Sequence, residues 1–224
     1  MEIKGMAALV TGGGSGIGAD VARHLSALGA KVALLDVDEA AARAVAAEIG
    51  GLGLACDVAD AASGEAAVAA ARAAHGPARI LVNVAGILIP GRIVGRDGPL
   101  PLEKFAKVIE VNLIGSFNML RLAAADMAAL PALADGERGV IVSTSSVAAF
   151  EGQIGQVAYA ASKAGIAGMT LPPDVQKSLG DSVPFPSRLG HADEVSRLVL
   201  HMIDNVLLNG EVVRLDGALR MPPK

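Results

Sequence analysis

Met6-Ala7-Ala8-Leu9-Val10-Thr11-Gly12-Gly13-Gly14-Ser15-Gly16-Ile17-Gly18 is the stretch that decides the fold. An apolar run of strand length enters a glycine-rich turn, and the turn opens a helix-forming segment, Gly16–Leu28. Glycines let the backbone turn tightly and approach a pyrophosphate closely. The first helical turn adds unpaired N–H groups and the positive end of a dipole. Glycine-rich turns occur in every fold, so the context carries the reading. A strand precedes the loop, a helix follows it, and Asp36 closes the next strand-like run, Lys31–Leu35. A carboxylate there accepts hydrogen bonds from the adenosine ribose and repels a 2′-phosphate. Val37-Asp38-Glu39 adds negative charge, and no Arg or Lys follows at once, so NAD is favoured over NADP. The competing role for these acids is a helix N-cap. Asp38 suits that role and leaves Asp36 for the ribose.

The same alternation continues outward. Strand-like runs at Leu52–Cys56, Arg79–Val84 and Gly139–Ser143 alternate with helical stretches at Glu39–Ile49, Ala61–His75, Leu102–Leu130 and Ala158–Leu171. The strands read as continuous apolar runs, the mark of burial on both faces. Alternating βα units imply a parallel sheet, and right-handed crossovers wind it doubly. The expected class is α/β: a single-domain, Rossmann-type, doubly wound parallel sheet with helices on both faces. The length of 224 residues fits one domain, 1–224. Ala66–Ala74 reads as helix rather than linker. After Leu171 the pattern breaks. Two prolines lead into Asp174–Ser182 and the Pro-rich Val183–Gly190, with no strand before His191; a helix (Asp193–Ile203) and a strand (Glu211–Leu215) close the chain. About 25–30 residues, one βα unit, are missing from the expected order.

Composition narrows the function. Apolar residues make up 52% and charged ones 19%, which excludes a largely disordered chain. Mean hydropathy is +0.49, yet no uncharged apolar run reaches the ~18 residues of a spanning helix, so no membrane role is expected. The bias is to small residues, 43 Ala beside 27 Gly. Aromatics are only 2% and net charge is −4, which argues against nucleic-acid binding. The single cysteine, Cys56, excludes an internal disulfide framework and reads as a small core residue. His24, His75, His191 and His201 show no metal spacing and suit surface or helix-end positions. A reducing, cytoplasmic setting is expected.

The chain's one tyrosine, Tyr159, lies four residues before Lys163. On a helix these share a face. An ammonium beside a phenol favours the phenolate, and such a phenol can exchange protons with an alcohol or carbonyl near neutral pH. Ser146 follows the fifth strand, at the carboxyl edge where ligands bind in such sheets. Its hydroxyl is placed to hold a reacting oxygen.

Thr11–Gly18, Asn83-Val84-Ala85-Gly86, Asn112, Ser146 and Tyr159-x-x-x-Lys163 together resemble the short-chain dehydrogenase/reductase family, in order from residue 5 to 171. Within it, Ser146–Gln153, Val183–Gly190 and Leu208–Ala218 resemble the type-2 3-hydroxyacyl-CoA dehydrogenases, also described as 17β-hydroxysteroid dehydrogenases of type 10. The resemblance implies Tyr159 as general acid/base and Lys163 as holder of the nicotinamide ribose. It implies Ser146 as the group that orients the substrate oxygen, and Asn112 as the holder of a water in the proton relay. It further implies Gly12, Ser15, Gly16, Ile17 and Gly18 around the pyrophosphate, Asp57 with Val58 at the adenine, and Asn83, Ala85 and Gly86 on the adenosine side. Gln153 is implied as a substrate contact, with a plain loop role as the alternative.

The implied activity is NAD-dependent interconversion of a secondary alcohol and a ketone, 3-hydroxyacyl-CoA to 3-oxoacyl-CoA. The alternatives are a 3-oxoacyl- or acetoacetyl-CoA reductase and a non-catalytic scaffold of the same fold. Relatives of this kind are homotetramers built on the long Leu102–Leu130 helix and the helix of Tyr159. The family continues after its Tyr-Lys helix with a sixth strand, a Pro-Gly turn and a substrate lid. Here Leu171-Pro172 runs directly into Pro173-Asp174, and a segment near 171–174 reads as missing. Loss of an interior strand would leave unpaired backbone groups on both neighbours.

Overall fold

Five of the apolar runs form one parallel sheet in the computed structural model, which describes residues 1–134, 136–170, 192–206, 208 and 211–215. The first elements are β1 (Ala7–Thr11), α1 (Gly16–Ala27), β2 (Lys31–Asp36), α2 (Glu39–Ile49), β3 (Leu52–Ala55), α3 (Ala61–His75) and β4 (Ile80–Asn83). A short hairpin follows, β5 (Val94–Gly95) and β6 (Gly98–Pro99). Then come α4 (Leu102–Ile109), a wide π-helical turn (Glu110–Ile114), α5 (Gly115–Ala129), β7 (Val140–Ser143), α6 (Ala148–Glu151), α7 (Val157–Thr170) and α8 (Ala192–Asp204). The sheet runs β3-β2-β1-β4-β7, every pair parallel. The chain thus winds outward from β1 in both directions, the doubly wound Rossmann-type order.

Contacts group the chain into two compact units. The first comprises Met1–Ala85, Ile114–Ser143 and the described residues from Ala192 to Val206; it holds the sheet. Side chains alternate across the sheet with period two. Ala8, Val10, Val32, Leu34, Ile80, Val82 and Val142 pack with Val21, Leu25, Val45, Val199 and Ile203 from α1, α2 and α8. The alternate positions Ala7, Leu9 and Ala33 line the opposite face with Val68 and Ala71 of α3 and Asp126 of α5. On that side Arg72 of α3 holds the nearly buried Asp126 at 2.5 Å. At the carboxyl edge, Thr11 is in register with both Leu35 and Asn83, and Asn83 with Ser143.

The second unit comprises Gly86–Leu113 and the described residues of Thr144–His191 and Leu208–Lys224. It contains the hairpin, α4, α6 and α7. Leu102–Ala129 is long and apolar enough to cross a bilayer by length and composition alone. Within the first unit its Met119, Ala123 and Met127 are buried, with α5 against α3 and β4.

Two expectations are corrected. The single helix Leu102–Leu130 is two α-helices joined by the π-helical turn, and it ends at Ala129. A π turn inserts a residue that sequence periodicity does not register. Glu211–Leu215 is not a strand. An extended segment becomes one only when a neighbour completes its ladder, and among the described residues no strand pairs with it. The junction at 171–174, the Asp174–Ser182 stretch and His191 lie outside the described residues.

Asp38 caps α2: its carboxylate accepts from the Ala41 N–H at 3.0 Å. Asp38→Ala is expected to cost about 1 kcal/mol of stability, read from the denaturant midpoint, with dinucleotide affinity unchanged.

Candidate active site

In the first unit the glycine loop is built for close backbone approach. Gly12 sits at φ 65°, a left-handed conformation that glycine adopts without strain. A Cβ on Gly18 would collide with the Gly12 carbonyl, so α1 lies directly on the loop that precedes it. Ser15 is the N-cap of α1, but its hydroxyl makes no capping bond. The leading N–H groups of α1 have no carbonyl partners within the helix. Ser15 and Gly16 are exposed and Ile17 sits at the border, so these donors face outward. Asp36 is tied to the loop: Oδ2 accepts from the Gly14 N–H at 3.0 Å and Oδ1 from the Asp38 N–H at 3.1 Å. The cap and the loop acid are therefore separate residues. The open donors, the glycine cradle and the loop-bound carboxylate fit a dinucleotide.

Asp57 is exposed and its Oδ1 accepts from the Ala59 N–H at 3.0 Å, while Val58 is buried against Gly115. Thr11 Oγ1 accepts from the N–H groups of Val84 and Ala85, at 3.1 and 3.2 Å. Asn83 is buried, and its Nδ2 donates to the Ser116 carbonyl and Ser143 Oγ at 3.2 and 3.3 Å. Asn83 thus stitches the carboxyl edge of the sheet, a bracing role. Cys56 is buried, and loss of solvation pushes its thiol up to about 11, which leaves it unreactive.

In the second unit Tyr159 and Lys163 share one face of α7, with Nζ 5.7 Å from the ring centroid. Lys163 is 4% exposed. Its Nζ donates to the Thr144 carbonyl at 2.8 Å, and burial pulls its ammonium from the ordinary 10.5 down to about 8. Ser145 Oγ donates to the Lys163 carbonyl at 2.8 Å, so the segment after β7 holds this residue from both ends. Ser146 Oγ accepts from the Ala148 N–H at 3.2 Å, and its own proton remains available to a ligand.

Asn112, fully buried in the π turn, grips both polar atoms of Ile87: Oδ1 accepts from its N–H at 2.7 Å and Nδ2 donates to its carbonyl at 3.0 Å. Nδ2 also meets Ser162 Oγ at 3.0 Å, and Ser162 donates to the Tyr159 carbonyl at 2.8 Å. A side chain at Gly86 would stand 3.2 Å from Asn112 Oδ1 and 3.7 Å from Lys163 Nζ, so this position is kept bare beside the ammonium. Gln153 is exposed in the loop after α6.

One pair went unread in the sequence. Arg214 lies 5.1 Å over the Phe150 ring and bonds Glu151 Oε1 at 3.2 Å, with both charged side chains largely buried. It clamps α6, a single turn too short to hold itself, just beyond Ser146. An i,j separation of 63 residues leaves no local signal for it.

A parallel sheet in 3-2-1-4 order, a dinucleotide cradle at its edge and a Ser-Tyr-Lys set together define a short-chain oxidoreductase. The short chain dehydrogenase family model matches residues 6–174, and the chain belongs to that family. It is similar over nearly full length to 3-hydroxyacyl-CoA dehydrogenase type-2 proteins. The Bos taurus protein is 42% identical, covering 99% of this chain and 98% of its own, and the Homo sapiens protein 40% with the same coverage. The crystal structure of 3-hydroxyacyl-CoA dehydrogenase type-2 from Mycobacterium avium superposes with a TM-score of 0.87 at 36% identity, covering 98% of each chain. The D-threitol dehydrogenase of Mycolicibacterium smegmatis is 38% identical over 75% of this chain.

The lowered Lys163 value carries a signed prediction. Between about pH 8 and 10.5 the unfolded chain keeps a proton that the folded chain has released, so stability rises with pH across that window. Below pH 8 the cost of a buried charge is fully present. Lys163→Met removes the group. Wild-type stability minus variant stability, measured by denaturation from pH 7 to 10.5, is expected to climb by up to about 3 kcal/mol.

Proposed function

We propose that this protein is an NAD-dependent dehydrogenase that oxidises the hydroxyl of a 3-hydroxyacyl-CoA to the 3-oxo thioester. The observation that carries the reading is the buried, carbonyl-held Lys163 beside Tyr159 on α7. The glycine loop and the leading N–H groups of α1 would hold the pyrophosphate. Asp36, carrying negative charge where a 2′-phosphate would lie, favours NAD. Asp57 would reach the adenine. When bound, the nicotinamide supplies the acceptor for the hydride.

Tyr159 as phenolate takes the hydroxyl proton, and Ser146 donates to the same oxygen and fixes its position. Lys163 stabilises the phenolate and anchors the nicotinamide ribose. Asn112 locks Ile87 and the α7 backbone so that the proton path from Tyr159 keeps its geometry. Asn83, Ala85 and Gly86 would support the adenosine side of the cofactor, and Gln153 would contact the substrate. We place the enzyme in the cytoplasm, as a homotetramer assembled on α4, α5 and α7; Leu102, Ile114 and Phe117, each more than half exposed, suit that contact. A preference for NADPH would support the 3-oxoacyl- or acetoacetyl-CoA reductase alternative, and Asp36 speaks against it.

A second reading, a non-catalytic scaffold, has its own support. The alignment with the Bos taurus protein runs over 258 positions against 224 residues here, so at least 34 positions have no counterpart in this chain. The family match stops at residue 174, where the sequence reads as lacking a segment.

Turnover by the wild-type chain separates the two, and Tyr159→Phe tests the role of the phenol. Turnover is expected to fall about 10²–10⁴-fold, with NAD affinity within a factor of two by calorimetry. Turnover equal to wild type would remove Tyr159 from the chemistry.

A further inference from the structure

Ser146 stands at the mouth of α6, and α6 is one turn of four residues, Ala148–Glu151. The opening bonds of that turn close on the serine itself. The Ala148 N–H donates to Ser146 Oγ at 3.2 Å, and the Ala149 N–H donates to the Ser146 carbonyl at 3.0 Å. The first of these bonds sets the hydroxyl. A backbone donor occupies one lone pair of Oγ, so the O–H is turned away from it. Whatever holds Ala148 in place therefore aims Ser146. A single helical turn is marginal alone, because nucleation fixes several dihedrals for very few bonds.

The far end of the turn is held from outside, by Arg214, and all of these residues belong to the second unit. The guanidinium stacks 5.1 Å over the Phe150 ring and donates to Glu151 Oε1 at 3.2 Å. The Arg214 and Glu151 side chains are only 12% and 15% exposed. Residues 211–215 alternate in exposure: Glu211, Val213 and Leu215 face outward, while Val212 and Arg214 turn inward. Arg214 thus fills an inward position that an apolar residue would suit on burial alone. A pair so sheltered adds little net stability, because lost solvation offsets its attraction. A planar fork that stacks on one residue and bonds the next does fix how that turn is oriented.

We propose that Arg214 is a positioning residue for the oxidation. It holds α6 through Phe150 and Glu151, and through the Ala148 N–H it aims the Ser146 hydroxyl at the reacting oxygen. The proposal rests on the dehydrogenase reading and deepens it. Ser146 donates to an oxygen that gains negative charge as its proton leaves, so its aim matters most in the transition state. The effect belongs in kcat, with KM and NAD affinity little changed.

The test is a double-mutant cycle on 3-hydroxybutyryl-CoA with NAD: wild type, Arg214→Met, Ser146→Ala and the two together. Arg214→Met is expected to lower kcat about 10-fold, with KM and NAD affinity within a factor of two. In the Ser146→Ala background the same change should have no further effect, because the two act on one bond. Arg214→Lys, which keeps the charge, should recover part of the loss. Unchanged kcat in Arg214→Met, an equal loss in both backgrounds, or a parallel loss of NAD affinity would overturn the proposal. If Arg214→Met does not fold, Glu151→Gln breaks the same pair from the other end and faces the same criteria. Amide hydrogen exchange gives a readout free of turnover: residues 148–152 should exchange faster in Arg214→Met while α7 keeps its protection. If wild type binds NAD but oxidises nothing, the dehydrogenase reading fails; unchanged exchange across α6 would sink the Arg214 assignment separately.

Discussion

A buried ammonium with no carboxylate beside it among the described residues is the constraint around which the second unit is organised. Removal of an ammonium from water costs several kcal/mol unless other groups restore its hydrogen bonds. Lys163 finds one such group in the Thr144 carbonyl, and burial still lowers its proton affinity. The neighbouring structure keeps it there. Ser145 ties down its carbonyl, Gly86 leaves room for its head, and Ser162 and Asn112 fasten the turn of α7 that carries Tyr159. A carboxylate partner would have made Lys163 cheaper to bury and fixed its charge. Without one among the described residues, burial lowers the group to about 8.

The first unit supplies a different kind of preorganisation. Its sheet ends in a register row, Leu35, Thr11, Asn83 and Ser143, braced by the Thr11 hydroxyl and the Asn83 amide. Backbone donors at the start of α1 stay open because Ser15 does not cap them, and the Gly14–Asp36 bond sets the acid against the loop. Open backbone N–H groups and the positive end of a helix dipole suit an anion, as the proposed dinucleotide requires.

Much of this was legible in the chain. The β1 run and the loop after it imposed strand, turn and helix together. The pair Asp36 and Asp38 separated by role as capping logic required, and Tyr159 and Lys163 met because helical spacing brings i and i+4 together. What escaped has physical reasons. The π turn at Asn112 adds a residue without disturbing apolar periodicity. Glu211–Leu215 carries a strand's residue pattern, but pattern alone makes no ladder. The Arg214–Glu151–Phe150 clamp and the bracing role of Asn83 arise from long-range packing, which no local motif announces.

The break in sequence pattern after Leu171 gives the functional question its edge, because the glycine loop, Ser146, Tyr159 and Lys163 all precede it and the family match ends at residue 174. The most direct measurement is nicotinamide absorbance at 340 nm with the full-length wild-type chain, NAD or NADP, and 3-hydroxyacyl-CoAs of graded length beside simple secondary alcohols. The account predicts reduction of NAD in preference to NADP, fastest with a CoA thioester. Normal NAD binding with no absorbance change on any of these substrates would contradict it and leave the scaffold.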